Sequence, residues 1–301
     1  MAGYTRESRR IPANGVELDG WLYLPTGGHL SGRGAPLIVM SHGFAAVKEL
    51  HIDKFAERFA GAGFAVALYD HRNFGRSGGG PRGEIDPREQ VDDMREVMTW
   101  AAALPQIDAS RIGVWGTSFS GGHAIMVGAL DRRVRCVVSQ VPTISGHEIL
   151  LRRSGPRIQE VRAAFEEDRA ARHRGEPPRY RCVIQQDGEA GIYPSAEAEA
   201  FYGAARSLAE DWDNRVTLRS SEMAGEYEPG AWIARVGPTP LLMVVAEQDT
   251  VTPTDLALEA YARAREPKRL CLLPGGHFDP YTTHAERAMG AALDWFGLHL
   301  R

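Results

Sequence analysis

Apolar and polar positions along the chain follow two alternating periods. Val16–Pro25 alternates apolar with polar residues, the pattern of an early antiparallel strand. Pro36–Ser41 is a short, continuous apolar run, suited to a strand buried on both faces. Helical spacing follows over Lys48–Ala60, with Leu50, Phe55, Phe59 and Ala60 apolar and Gly61 and Gly63 as its stop. The order then continues: strand at Phe64–Tyr69, helix at Arg88–Leu104 closed by Pro105, strand at Arg111–Trp115, helix at Ser120–Leu130, strand at Val134–Ser139. Further strands are predicted at Pro240–Ala246 and Arg269–Leu273, with a last helix from Ala285 to Leu298. Strand and helix in alternation predict an α/β fold, a mostly parallel central sheet flanked by helices.

The alternation breaks between Thr143 and Arg235, a stretch rich in Arg, Glu and Ala. Its helical patterns, Ile158–Arg174 and Ala196–Ala209, are divided by Gly175–Pro178. The expected organisation is a core of residues 1–142 and 236–301 with a helical cap, 143–235, inserted between two core strands. The plainer alternative is a surface decoration.

With 301 residues, the chain has room for one large domain or one domain with an insertion. A net charge of −4 gives no reason to expect a nucleic-acid partner. No uninterrupted apolar run is long enough to cross a membrane, and Met1–Arg10 lacks the apolar stretch of a secretory signal. The three cysteines, Cys136, Cys182 and Cys271, are odd in number and widely spaced, which points to reduced thiols in a cytoplasmic protein.

The sharpest chemical signal is Arg111–Gly122, where an apolar strand runs into Gly116, Thr117, Ser118, Phe119 and Ser120 before a helix begins. Small residues two before and two after Ser118 permit a sharp turn that lifts its hydroxyl in front of a helix N-terminus. Ser118 could instead merely cap that helix. A hydroxyl needs a base to become a nucleophile. His277 is the candidate, on the Gly275–Gly276 loop that follows a strand. Its nearest rival among ten histidines is His284, expected in or beside the last helix. Asp249, directly after the strand ending at Ala246, is the candidate acid that would hold the imidazole. Glu247 is its backup, Asp255 is expected to cap the next helix, and Asp279 lies too near His277 in sequence. Met40–Phe44 follows a buried strand and opens a loop. The backbone N–H groups of Phe44 and Phe119 are therefore the candidate oxyanion donors.

Other apparent motifs lead nowhere. Gly61-Ala62-Gly63 ends a helix and precedes a strand, the reverse of a dinucleotide fingerprint. Gly78–Gly80 lacks the following Lys-Ser/Thr of a phosphate loop, and no paired Cys/His spacing suggests a metal; no cofactor is expected. Tyr69–Gly78 reads as structural, with Asp70 and Arg72 able to pair. The Arg162–Arg174 stretch carries acids as well and reads as a solvated helix face.

Taken together, these strings resemble the α/β-hydrolase superfamily over nearly the whole chain. More narrowly they are similar to the dienelactone-hydrolase-like and peptidase-like serine hydrolases that include fungal polyketide transferases. The resemblance is carried by Ser41–Phe44 with Lys48 and Glu49, Asp70–Gly75, Gly116–Gly122, Ala246–Pro253 and Pro274–His277. One position departs from the usual G-x-S-x-G: Ser120 replaces the second glycine. The resemblance implies Ser118, Asp249 and His277 as a triad and esterase, thioesterase or acyl-transfer activity on a small-molecule acyl substrate. Amide or C–C cleavage, and a binding protein that has lost the chemistry, stay open, as does a homodimer. A dehalogenase would need a carboxylate at position 118. The cap's aromatics, notably Trp212, Tyr227 and Trp232, are candidate substrate contacts, and a medium-sized, fairly apolar acyl or aromatic ester is expected.

Overall fold

The computed structural model describes residues 3–26 and 34–301; Met1 and Ala2, at the start of the predicted core, lie outside them. The chain runs β1 (Gly3–Ala13), β2 (Val16–Thr26), β3 (Ala35–Ser41), α1 (Asp53–Ala60), β4 (Ala65–Tyr69), α2 (Pro87–Ala102), β5 (Ile107–Thr117), α3 (Phe119–Leu130) and β6 (Val134–Gln140). It continues with α4 (Gly146–Ser154), α5 (Ile158–His173), β7 (Tyr180–Cys182), α6 (Ala196–Gly203), α7 (Ala205–Leu208), β8 (Arg215–Thr217), α8 (Leu218–Gly225) and α9 (Ile233–Val236). It closes with β9 (Leu241–Ala246), α10 (Thr254–Arg263), β10 (Lys268–Leu273) and α11 (Ala285–His299).

Eight strands form one sheet in the order β1-β2-β4-β3-β5-β6-β9-β10. From β4 onward all pairings are parallel; β2 joins β4, and β1 joins β2, antiparallel. Alternation along each strand feeds two cores. Leu37 and Val39 of β3 face one core with α2, α3, α9 and α10. Ile38 and Met40 face the other, with Phe55 and Phe59 of α1 and Phe296 of α11. The chain turns from β3 to β4 on one side and back to β5 on the other. That reversal opens a crevice at the C-terminal ends of β3 and β5, where sheets of this kind hold ligands.

Several elements differ from the sequence reading. The helix expected from Lys48 starts only at Asp53, because Lys48 is drawn into a buried ion cluster and His51 adopts a positive φ of 65°. The pattern Ala196–Ala209 is two short helices, α6 and α7, broken after Gly203. β1 was not foreseen at all: it is a sheet edge, mostly exposed and polar on both faces, so it carries no alternation.

Between β6 and β9, the chain contributes no strand to the main sheet. It forms α4–α9 and a separate β7–β8 ribbon. Val183, Tyr193, Phe201 and Tyr202 of this segment join the same apolar cluster as Phe44 and Phe278 of the core.

Candidate active site

Ser118 sits between β5 and α3 with φ 55° and ψ −118°. A non-glycine residue there costs on the order of 1–3 kcal/mol and persists only where the surroundings over-determine it. They do: its N–H donates to Gln140 O (2.8 Å), and its carbonyl accepts from Gly121 N–H and Thr143 N–H (both 2.9 Å). Gly116 is required at the approach, since a Cβ there would lie 1.8 Å from the carbonyl oxygen of Ser120.

The structure brings together the three side chains singled out from sequence. His277 Nε2 lies 3.0 Å from Ser118 Oγ, and His277 Nδ1 lies 2.7 Å from Asp249 Oδ2. With Nδ1 donating to the carboxylate, Nε2 is the acceptor facing the hydroxyl. The carboxylate is itself held: Asp249 Oδ1 accepts from Val251 N–H and Thr252 N–H, both at 2.8 Å. The Thr252 hydroxyl stands 2.9 Å from both Asp249 Oδ2 and Val141 O. All three members of the set are buried. The rivals lie elsewhere: Glu247 is exposed, His284 precedes α11, and Asp279 accepts from Gly276 N–H within its own loop. Asp255 does not cap α10 but sits in its first turn, paired with Arg152.

Phe44 and Phe119 both line the cavity that opens over Ser118, their rings edge-to-face at 5.5 Å. Among the described residues, neither N–H is taken up by a turn or cap hydrogen bond, so both remain free to donate. The loop bearing Phe44 is anchored from the inserted segment: Tyr202 Oη donates to Phe44 O (2.7 Å) and Trp212 Nε1 to Ala45 O (2.8 Å).

Behind the elbow is a polar cluster that the sequence did not disclose. Ser120 Oγ donates to His42 O (2.5 Å) and stands 2.8 Å from His71 Nε2. His42 Nε2 accepts from His71 N–H (3.0 Å), and His123 bridges Tyr227 Oη (2.7 Å) and Gln90 Oε1 (3.0 Å). Burial lowers the histidine pKa values, His42 to about 4 and His123 to about 3, and also drives His71 down, helped by its two histidine neighbours. The expected Asp70–Arg72 pair is not formed. Asp70 binds Lys48, whose ammonium also meets Asp19 and Glu49, while Arg72 grips Asp93 through two hydrogen bonds. Each carboxylate thus holds a cation from another segment, tying the post-β3 and post-β4 loops to the core.

The cavity over Ser118 has a volume of about 200 Å³ and opens to solvent. Its walls correct the expected substrate contacts: Trp212, Tyr227 and Trp232 do not line it. Trp212 anchors the Phe44 loop, Tyr227 packs against Phe119 and His123, and Trp232 lies under Arg235. Tyr193, Phe165 and aliphatic side chains such as Leu150, Val161 and Ile192 form the wall, together with three arginines, Arg153, Arg157 and Arg181. The three arginines carry no sequence signal, since they come from three separate elements and share no linear pattern. No cluster of His, Cys, Asp or Glu able to hold a metal occurs among the described residues, and no helix there is long and apolar enough to cross a membrane.

A mostly parallel eight-stranded sheet, with a strained serine at the strand-to-helix turn after β5, makes this protein an α/β hydrolase. The chain belongs to the X-Pro dipeptidyl-peptidase (S15) family, whose sequence pattern matches residues 14–279. It is 30% identical to the polyketide transferase grgF of a Penicillium species, over 95% of this chain and 94% of that one. It is 32% identical to a thiohydrolase of Eupenicillium brefeldianum, over 88% and 85% of the two chains. The crystal structure of the α/β hydrolase GrgF from Penicillium sp. sh18 superposes with a TM-score of 0.82, at 27% identity and 99% coverage of both chains.

Proposed function

We propose that this protein is a serine hydrolase that cleaves a carboxylic ester or thioester through an acyl-enzyme on Ser118. The observation that carries the reading is the continuous hydrogen-bond line from Ser118 Oγ through His277 to Asp249. In the proposed reaction, Ser118 Oγ attacks the substrate carbonyl as His277 Nε2 takes its proton. The carbonyl oxygen becomes an oxyanion, held by the N–H groups of Phe44 and Phe119; losing one such donor typically costs about 10²–10³ in rate. The intermediate collapses, the C–O or C–S bond breaks, and the leaving alcohol or thiol takes the proton from the imidazolium. Water then attacks the acyl-enzyme by the same route, releasing the acid and restoring Ser118. Asp249 stays ionised and steadies the imidazolium. Residues 143–235 serve as a cap over this site. The thiohydrolase name of one relative supports a thioester as one form of substrate.

Ser118→Ala should cut turnover of a p-nitrophenyl ester by on the order of 10⁴-fold or more, and should abolish labelling by a fluorophosphonate probe. A variant that keeps near-wild-type turnover would overturn the assignment. A second reading shares the acyl-enzyme but replaces water with an alcohol or amine acceptor. It is favoured by the burial of Ser118 and His277 and by the relative named a polyketide transferase. Product analysis with added acceptors separates the two.

A further inference from the structure

The wall of the cavity over Ser118 contains Arg153, Arg157 and Arg181, and no Asp or Glu lines it among the described residues. The three come from the last turn of α4, the 3-10 turn Gly155–Arg157 and β7. Several other arginines in this segment are paired with acids. Arg152 holds Asp255, Arg169 holds Glu222, Arg172 holds Asp168 and Arg179 holds Glu167. The chain has acids to spare, 39 Asp and Glu against 35 Lys and Arg. Yet none of the three cavity arginines forms an ion pair or hydrogen bond with a carboxylate among the described residues. Arg181 is half-buried. Its cationic form is disfavoured first by that burial and then by the fields of Arg153 and Arg157, offset in part by the exposed Glu189. Arg153 and Arg157 are exposed and stay hydrated, so the like-charge cost falls mainly on half-buried Arg181, and a negative group entering the cavity would relieve it.

Their placement relative to the chemistry is also defined. The Arg153 guanidinium lies 4.8 Å over the Tyr193 ring, and Tyr193 meets Phe44 edge-on at 6.1 Å. The cationic wall is therefore one aromatic ring away from the loop that carries a proposed oxyanion donor. Ser221 shares this wall, and its hydroxyl is buried without a hydrogen-bond partner among the described residues.

We infer that the acyl substrate is anionic: it bears a carboxylate or phosphate that Arg153, Arg157 and Arg181 bind while its carbonyl meets Ser118. This deepens the hydrolase reading and rests on it, and it adds an anionic group to the fairly apolar substrate expected from the cap's aromatics. Guanidinium groups suit both kinds of oxyanion through paired N–H donors. The charge could belong to the acyl half, as in a dicarboxylic half-ester. It could instead belong to the leaving half, as in the phosphates of a phosphopantetheine thioester.

Two substrate pairs test this and distinguish the sources. The first is the mono-p-nitrophenyl ester of adipic acid against its methyl-capped form. The second is octanoyl-coenzyme A against the octanoyl thioester of N-acetylcysteamine. One pair should show an anionic preference in kcat/KM of about 10–100-fold, the value of a charge-assisted hydrogen bond. That preference should shrink as salt is raised. It should collapse toward unity in the variant Arg153→Gln/Arg157→Gln/Arg181→Gln, and partly in Arg157→Gln and Arg181→Gln alone, should the triple variant fold poorly. The readout is the ratio, not the absolute rate, and fluorophosphonate labelling of Ser118 reports an intact site. Equal handling of both members in both pairs would overturn the inference, as would a preference that survives all the substitutions. Failure of the hydrolase reading looks different: Ser118 would resist the probe and neither member of either pair would turn over.

Discussion

Asp249 shows how much one atom can decide. Its Oδ1 is committed to two backbone N–H donors, which leaves Oδ2 as the acceptor for His277 Nδ1. In Asp249→Asn, the amide oxygen would keep the backbone donors and the NH2 would face the imidazole. That would force the tautomer with Nδ1 as acceptor and Nε2 as donor, the wrong one for taking a proton from Ser118. We expect kcat on a p-nitrophenyl ester to fall on the order of 10⁴-fold with little change in the unfolding midpoint. A fall of less than tenfold would mean that the carboxylate does not hold the imidazole. Ser118, Asp249 and His277 were legible in sequence because each stands just past a predicted strand, where position alone assigns a side chain to the crevice. The arginines of the cavity wall were not legible, because only the folding of the inserted segment brings Arg153, Arg157 and Arg181 to one surface. The expected Asp70–Arg72 pair failed for the same reason. Nearness in sequence was the only guide, and longer-range partners, Lys48 and Asp93, took both residues.

At the scale of elements, the turn from β5 into α3 is legible in its small residues, with Ser120 in place of the usual glycine. The structure gives Ser120 a positive task. Its hydroxyl ties α3 to the carbonyl of His42 and to His71, and so to the loops after β3 and β4. Ser120→Gly would restore the usual motif but remove these links, leaving His71 Nε2 only its longer contact to His42 O at 3.2 Å. We expect a stability loss of about 1–3 kcal/mol, read as a lower urea midpoint. We also expect kcat to fall by up to about 10²-fold, because Phe44 follows His42 by two residues and its N–H would drift. An unchanged midpoint would remove this role from Ser120. The buried strands were legible for a related reason. Continuous apolar runs such as Pro36–Ser41 arise only where helices cover both faces. β1 is not, since an exposed edge imposes no periodicity, and of the inserted segment only α5 and, as one run, α6 and α7 are legible.

Across the whole molecule, the three buried histidines link three parts of the fold and couple stability to pH. His42 belongs to the loop after β3, His71 to the loop after β4 and His123 to α3, which it fastens to Tyr227 of the inserted segment. His42 lies 4.0 Å from Asp70, but that carboxylate already pairs with Lys48, so it offers little support to a second cation. All three are held neutral in the folded state, with pKa values of about 4 for His42 and about 3 for His123. In the unfolded chain, each returns to about 6.5. Below that value, the unfolded state binds protons that the folded state refuses, so stability rises with pH and falls on acidification. Each fully differing histidine contributes a slope of up to about 1.4 kcal/mol per pH unit, and the loss continues until the folded values are reached. Burial raises the pKa values of Asp53 and Asp93, which act in the opposite sense from the carboxylate range upward. The histidine effect should therefore be cleanest between about pH 6.5 and 5.5. Urea midpoints measured across that window should drop steadily. In His123→Gln, which keeps polar groups toward Tyr227 and Gln90, the slope should lessen by about half a proton at pH 6.5, rising to nearly one proton at pH 5.5, whatever the variant's absolute stability. A flat midpoint across the window in the wild-type protein would show that these histidines titrate alike in both states, and that burial does not hold them neutral.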